Sequence, residues 1–223
     1  MGTTGFQSMQ TKKIVLFSSS IIALCTFSYY FIDRQVVWFL VSHHSRDFFV
    51  LNIMANQIPF VIGAFVFIFY LYFAIILYKK NQPIQALGAR LIVMCNSIVI
   101  AIFLKDSLKL IFGRTWTSTF KCNNPSLINN NIYGFNWFSS EHGSASFPSG
   151  HTTLIFSFAT SMWFLFPTLR WIWALLALMV SLGQIGMYYH FVSDVLAGAA
   201  LGSIVAIYNY HYWVRSNRAK IDL

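Results

Sequence analysis

Six apolar runs, at about residues 14–30, 58–78, 91–112, 150–166, 171–189 and 191–212, recur along this chain. Each approaches the roughly 20 residues that a helix needs to cross hydrocarbon about 30 Å thick. Polar or charged breaks such as Lys79-Lys80-Asn81-Gln82-Pro83 and Pro167-Thr168-Leu169-Arg170 separate them. With 57% of the 223 residues hydrophobic and 9% charged, the chain lacks the polar side chains for a water-facing shell. A bilayer is therefore its solvent, and the expected fold is an all-α polytopic membrane protein, a six-transmembrane-helix bundle in a single domain. The first run follows Lys12-Lys13 like a signal sequence, but no clean small-x-small cleavage site follows it, so it reads as the first span. Residues 1–56 are then the first transmembrane helix and an interfacial segment, 57–212 the helical core and 213–223 a basic cytoplasmic tail.

The net charge of +9 does not point to nucleic acid, because the basic residues sit at the ends of apolar runs and form no stripe on a soluble face. They report orientation instead, since Lys and Arg accumulate in short cytoplasmic loops. Six spans put both termini on one side, and that side holds Lys12, Lys13, Lys79, Lys80, Arg90, Arg170, Arg215, Arg218 and Lys220, 9 of the 15 basic residues. The termini are expected in the cytoplasm. The end of the third span, the polar segment 113–147, the start of the fourth span and the junction of the last two then face outward. Cys25, Cys95 and Cys122 show no metal-ligand spacing, and His43-His44, adjacent in sequence, do not face each other on a helix and read as solvated residues.

Three polar elements converge on that outer side. Pro148-Ser149-Gly150-His151 stands where a loop becomes an apolar helix, with free N–H groups that attract anions and a histidine placed to protonate a leaving oxygen. Taken alone, the same residues read more plainly as a helix cap with an interfacial histidine. His190 and Asp194, four apart, share one helix face, so the carboxylate can hold one ring nitrogen and leave the other nucleophilic. A structural contact at a helix start accounts for that pair equally well. Lys109 and Arg114, at the end of the third run, offer a point charge and a bidentate fork for phosphate oxygens, or two cations reaching lipid headgroups. Their occurrence together on one face favours phosphate chemistry. Gly198 and Gly202 read as helix packing within the bundle rather than as a dimer motif.

These residues resemble the type 2 phosphatidate phosphatase superfamily, which includes bacterial membrane lipid phosphatases and whose signatures are Lys-x6-Arg-Pro, Pro-Ser-Gly-His and Ser-Arg-x5-His-x3-Asp. The second is intact at Pro148–His151, and the His-x3-Asp half of the third stands at His190 and Asp194. The resemblance implies a phosphatase-like core that hydrolyses a lipid phosphate monoester or pyrophosphate without metal or cofactor. In it His190 is the nucleophile that forms a phosphohistidine, Asp194 orients it and His151 is the general acid. Lys109, Arg114, Ser149, Gly150 and Gln184 are expected to bind phosphate. The substrates it implies are phosphatidate, phosphatidylglycerophosphate, a polyprenyl pyrophosphate or a lipid A phosphate. The location it implies is the bacterial inner membrane with the site on the periplasmic face, and the partners are the bilayer and the lipid. A lipid phosphotransferase and a non-catalytic lipid-phosphate binder of the same fold are the alternatives. Two family positions differ: with Lys109 in the signature's lysine place, its Arg-Pro is Trp116-Thr117, and the Ser-Arg before the nucleophile is Gly183-Gln184.

Overall fold

The structure is a computed structural model that describes residues 3–80, 86–120, 123–138 and 143–221, with side chains at 16–75, 87–120, 123–138 and 143–216. The expectations that rest on Asn81, Gln82, Pro83, Lys121, Cys122 and Glu141, and on the side chains of Lys12, Lys13, Lys79, Lys80, Arg218 and Lys220, lie outside these residues. The helices are α1 (Thr3–Phe31), α2 (Asp33–Ser42), α3 (Phe49–Asn52), α4 (Ile58–Lys80), α5 (Ala86–Phe112), α6 (Leu127–Asn130), α7 (Gly150–Leu165), α8 (Arg170–Gly186) and α9 (Val192–Ile221). Among the described residues there is no strand, only two isolated β-bridges, Arg114 with Phe135 and Trp116 with Ser126.

Four of these stretches are long and apolar enough to cross a bilayer: Phe49–Ile75, Leu87–Phe112, Pro167–Gly186 and Val192–Ser216. A fifth results if Leu16–Phe31 and Asp33–Ser42, bent by 51° at their junction, count as one crossing. The second crossing thus begins at Phe49, ahead of residue 58, because α3 runs into α4 through a π-helical turn, Ile53–Gln57. Phe67 and Phe103 are 71% and 72% exposed, an arrangement that suits lipid and would be costly in water. α7, with 16 residues, is about 24 Å long and falls short of the hydrocarbon thickness. It packs against α5, α8 and α9, with Ile155 and Ala159 set among Met94, Ile98 and Val180.

Small residues bring the helices close enough to carry a site. A Cβ on Gly198 would stand 2.6 Å from the Ser149 carbonyl oxygen, and one on Gly202 would collide with the Thr153 carbonyl, so α9 lies directly on the first turns of α7. The glycine pair therefore serves packing within the bundle, as expected. Gly183 does the same for α8, where a Cβ would stand 2.5 Å from the Ala55 nitrogen in the π-helical turn. The π-helical turn carries the Ala55 carbonyl that accepts from Gln184 Nε2 at 2.7 Å.

The polar segment between α5 and α7 is held by its own amide and hydroxyl side chains. Asn129 Oδ1 accepts from the Thr119 N–H at 2.9 Å, Asn124 Oδ1 from the Phe120 N–H at 2.7 Å, and Asn130 Oδ1 from the Ser126 N–H at 3.2 Å. Side chains thereby satisfy backbone groups that no regular ladder serves. The segment also docks on the turn before α9, where Thr117 Oγ1 donates to the Tyr188 carbonyl at 2.5 Å.

Candidate active site

α7 and α9 begin side by side. Ser149 is the N-cap of α7, its hydroxyl accepting from the Thr152 N–H at 3.4 Å, and its own N–H donates to the Asp194 carbonyl at 3.0 Å. Asp194 Oδ2 in turn accepts from the Phe191 N–H at 3.1 Å, the backward half of a capping box at the start of α9. The two histidine signatures are thus joined through helix caps.

His190 is 5% exposed, with Nδ1 3.3 Å from Asp194 Oδ2 and 3.4 Å from Ser146 Oγ. That engagement leaves Nε2 as the nitrogen available to a ligand. Burial pushes the His190 imidazole below its ordinary pKa, against the opposing pull of Asp194. Trp116 covers one side of the ring, at 5.2 Å between centroids. His190 lines a cavity of about 440 Å³ together with Asn56, Trp116, Phe120, Asn124, His151, Gln184 and Tyr189. His151 and His190 share this cavity, and among the described residues no lining side chain is an arginine or lysine. The two positions where the resemblance expects arginine, Trp116 and Gln184, both form its wall. Gln184 is fully buried, and its Oε1 has no hydrogen-bond partner among the described residues.

The cations are distributed otherwise than the sequence suggested. Arg114 does not reach the cavity: it is fully buried, and the two terminal nitrogens of its guanidinium are taken up by protein groups. Nη1 donates to Ser193 Oγ and Asp194 Oδ1, both at 2.5 Å, and Nη2 to Asp33 Oδ2 at 2.7 Å and Tyr133 Oη at 3.0 Å. The rings of Tyr29, Tyr133, Phe135 and Phe191 lie 4.3–5.4 Å from its Cζ. Although burial opposes the charge, Asp194 and Asp33 hold the Arg114 pKa above its ordinary value. The reading of Arg114 as a phosphate ligand gives way to that of a buried clamp, because two carboxylates outcompete an open cavity for its fork.

Lys109 Nζ donates to the Ala145 carbonyl at 2.6 Å and stands 5.4 Å from the Trp116 ring, at the edge of the site. Lys105, which the sequence sets at the charged end of the third run but outside the expected phosphate-binding residues, packs on the start of α7: its Nζ is 3.7 Å from where a Gly150 Cβ would be, and it pairs with Asp106 at 2.5 Å. Its four-residue spacing from Lys109 on α5 was the available signal. Ser149 is enclosed and used as a cap, so of the Pro-Ser-Gly-His residues it is His151 that meets the cavity. Among the described residues no group of three or more His, Cys, Asp or Glu is arranged to hold a metal ion.

Comparison with known proteins matches the sequence that builds this site to a family. The PAP2 superfamily profile covers residues 90–218, more than half of the chain and all three signature regions. The chain is 28% identical over 186 residues to the lipid A 4'-phosphatase of Porphyromonas gingivalis, across 79% of this chain and 70% of that one. It is 38% identical over 63 residues to a bacitracin transport permease protein of Bacillus licheniformis, across 28% of this chain and only 31% of the permease. Among solved structures, a transmembrane PAP2 type phosphatidylglycerolphosphate phosphatase from Bacillus subtilis aligns over 88% of this chain and 86% of that one, at 16% identity and a TM-score of 0.37. On the extent of the profile match, which spans the α5 end, the α7 start and the α8–α9 junction, the chain belongs to the PAP2 superfamily.

Proposed function

We propose that this protein is a membrane lipid phosphatase that hydrolyses a phosphate monoester or pyrophosphate through a phosphohistidine on His190. The observation that carries this reading is the His190 ring, held by Asp194 on Nδ1 and presented with His151 to one cavity. His190 Nε2 attacks phosphorus, the nitrogen–phosphorus bond forms, and the bond to the leaving oxygen breaks as His151 gives that oxygen a proton. Water then attacks the phosphohistidine, His151 takes its proton, and inorganic phosphate leaves with His190 restored. Lys105, Lys109 and the free N–H groups at the start of α7 supply the positive field that the neutral walls at Trp116 and Gln184 lack. The reaction uses no metal.

The same reading counts α7 as a short sixth crossing, with both termini in the cytoplasm and the cavity on the outer face of a bacterial plasma membrane. The substrate is a lipid phosphate of the class that the Porphyromonas gingivalis relative's name denotes, or a phosphatidate, phosphatidylglycerophosphate or polyprenyl pyrophosphate. A panel of these four lipids, tested in detergent with a metal chelator present, checks the proposal. Phosphate release by the wild type that is lost in His190→Ala supports it. Release that the chelator abolishes, or that survives in His190→Ala, refutes it. Transfer of phosphate to a second lipid with little free phosphate identifies a phosphotransferase instead.

A further inference from the structure

Asp33 opens α2, ahead of the family profile, yet it is completely buried against the start of α9. Its carboxylate accepts from the Ser193 N–H at 3.0 Å, Ser193 Oγ at 2.5 Å, Arg114 Nη2 at 2.7 Å, Ser28 Oγ at 2.8 Å and Tyr133 Oη at 3.2 Å. Arg114 and Ser193 connect it to Asp194, and Asp194 Oδ2 faces His190. Two enclosed carboxylates flank one enclosed guanidinium, so the cluster carries one negative charge in excess. Such an excess is costly unless a neighbour takes up positive charge. Lys109 stands nearby as a fixed cation, and the His190 ring, which contacts Asp194 Oδ2 itself, becomes cationic as Nε2 bonds to phosphorus.

We propose that Asp33 is a positioning residue of the active site, acting through Arg114 and Ser193 to set the orientation and the charge that the Asp194 carboxylate presents to His190. The proposal rests on the reading of His190 as nucleophile. Without Asp33, Arg114 neutralises Asp194, and the ring faces a pair of no net charge as its own positive charge builds. With Asp33, half of the guanidinium is occupied, and Asp194 keeps the negative field that stabilises the phosphorylated imidazolium. Among the described residues, the other titratable and charged groups around this cluster are Cys25 and Tyr29 from α1, Arg34 from α2, Lys105, Asp106 and Lys109 from α5, Tyr133 from the polar segment and His151 from α7. None of them replaces the Asp33 contact with Arg114.

The test compares wild type, Asp33→Asn and the milder Ser28→Ala, each as the full chain in detergent micelles. Phosphate release is measured from phosphatidate, phosphatidylglycerophosphate, a polyprenyl pyrophosphate and lipid A, and the His190 ring is titrated by NMR after histidine labelling, with His190→Gln to assign it. Asp33→Asn is expected to lower kcat at least about tenfold with KM within about twofold. Loss of a negative charge disfavours the protonated ring, so the His190 titration moves to lower pH by about half a unit or more. Ser28→Ala moves both in the same direction by less, and it carries the measurement if Asp33→Asn does not fold. A His190 titration that stays in place in a folded variant overturns the proposal, whatever happens to melting temperature. If the wild type releases no phosphate while the titration still moves, the hydrolase reading fails and the positioning role stands. Release with an unmoved titration means the reverse.

Discussion

Replacing Arg114 by lysine separates a phosphate ligand from a buried clamp, because the two roles predict opposite kinetic signatures. The guanidinium makes four polar contacts, to Ser193, Asp194, Asp33 and Tyr133, from a position with no exposure. A lysine keeps the charge but offers three donors without a fork, and it leaves at least one charge-assisted bond unmade, at a cost of about 1.5–3 kcal/mol. At this chain length about 1 kcal/mol corresponds to about 2–4 °C in Tm, so Arg114→Lys should melt roughly 5 °C below wild type. Arg114→Met removes the cation that bridges Asp33 and Asp194, and about 3–5 kcal/mol is lost when a buried pair is broken this way. That approaches the whole stability of a marginal fold, about 5–15 kcal/mol, and Arg114→Met is expected to express poorly. Steady-state kinetics on the most rapidly hydrolysed lipid phosphate, together with melting curves in detergent, provide the assay. The clamp predicts a lower Tm and a lower kcat with KM within about twofold of wild type. An Arg114→Lys protein with wild-type Tm and a KM raised about tenfold would refute the reasoning and return Arg114 to the phosphate.

Four further outcomes follow from the same geometry. Because burial lowers the His190 pKa, the neutral ring persists as pH falls, and the acid limb of kcat/KM should lie below the ordinary histidine value of about 6.5, as a pH–rate profile will show. By linkage the unfolded chain protonates this histidine first, so stability should fall as pH drops below about 6.5, and His190→Gln should reduce that slope in melting experiments. Lys105→Met should raise KM for the lipid phosphate by about tenfold while leaving Tm within a few degrees, since its amine lies at the start of α7 and is partly solvated; an unchanged KM removes Lys105 from the phosphate site. Gly202→Leu forces a side chain into the α7 backbone at Thr153 and should abolish the folded bundle, read as loss of the monodisperse peak in size-exclusion chromatography, whereas the surface change Tyr212→Leu should not.

Membership of a helical membrane fold, the convergence of His151 and His190 and the pairing of His190 with Asp194 were legible in the sequence. The physical reason is that each depends on short-range periodicity. Apolar runs of bilayer length specify helices whatever their partners, and a four-residue spacing puts two side chains on one face before any tertiary contact forms. The packing role of Gly198 and Gly202 followed from the same logic. Tertiary structure alone decided where the cations go. Arg114 and Asp33 are 81 residues apart in sequence and Asp33 and Ser193 are 160 apart, and no local pattern encodes such pairings. The sequence marks Arg114 as a cation near a phosphate motif, but whether its fork meets a cavity or two carboxylates depends on how α1, α2 and the polar segment close over α9. The bend at residue 32, the π-helical turn that presents Ala55 to Gln184, and the path that brings Trp116 over His190 and Ser146 under Asp194 are likewise products of packing. The His190–Asp194 pair was therefore written locally, while the charge that surrounds it was set by contacts between distant parts of the chain.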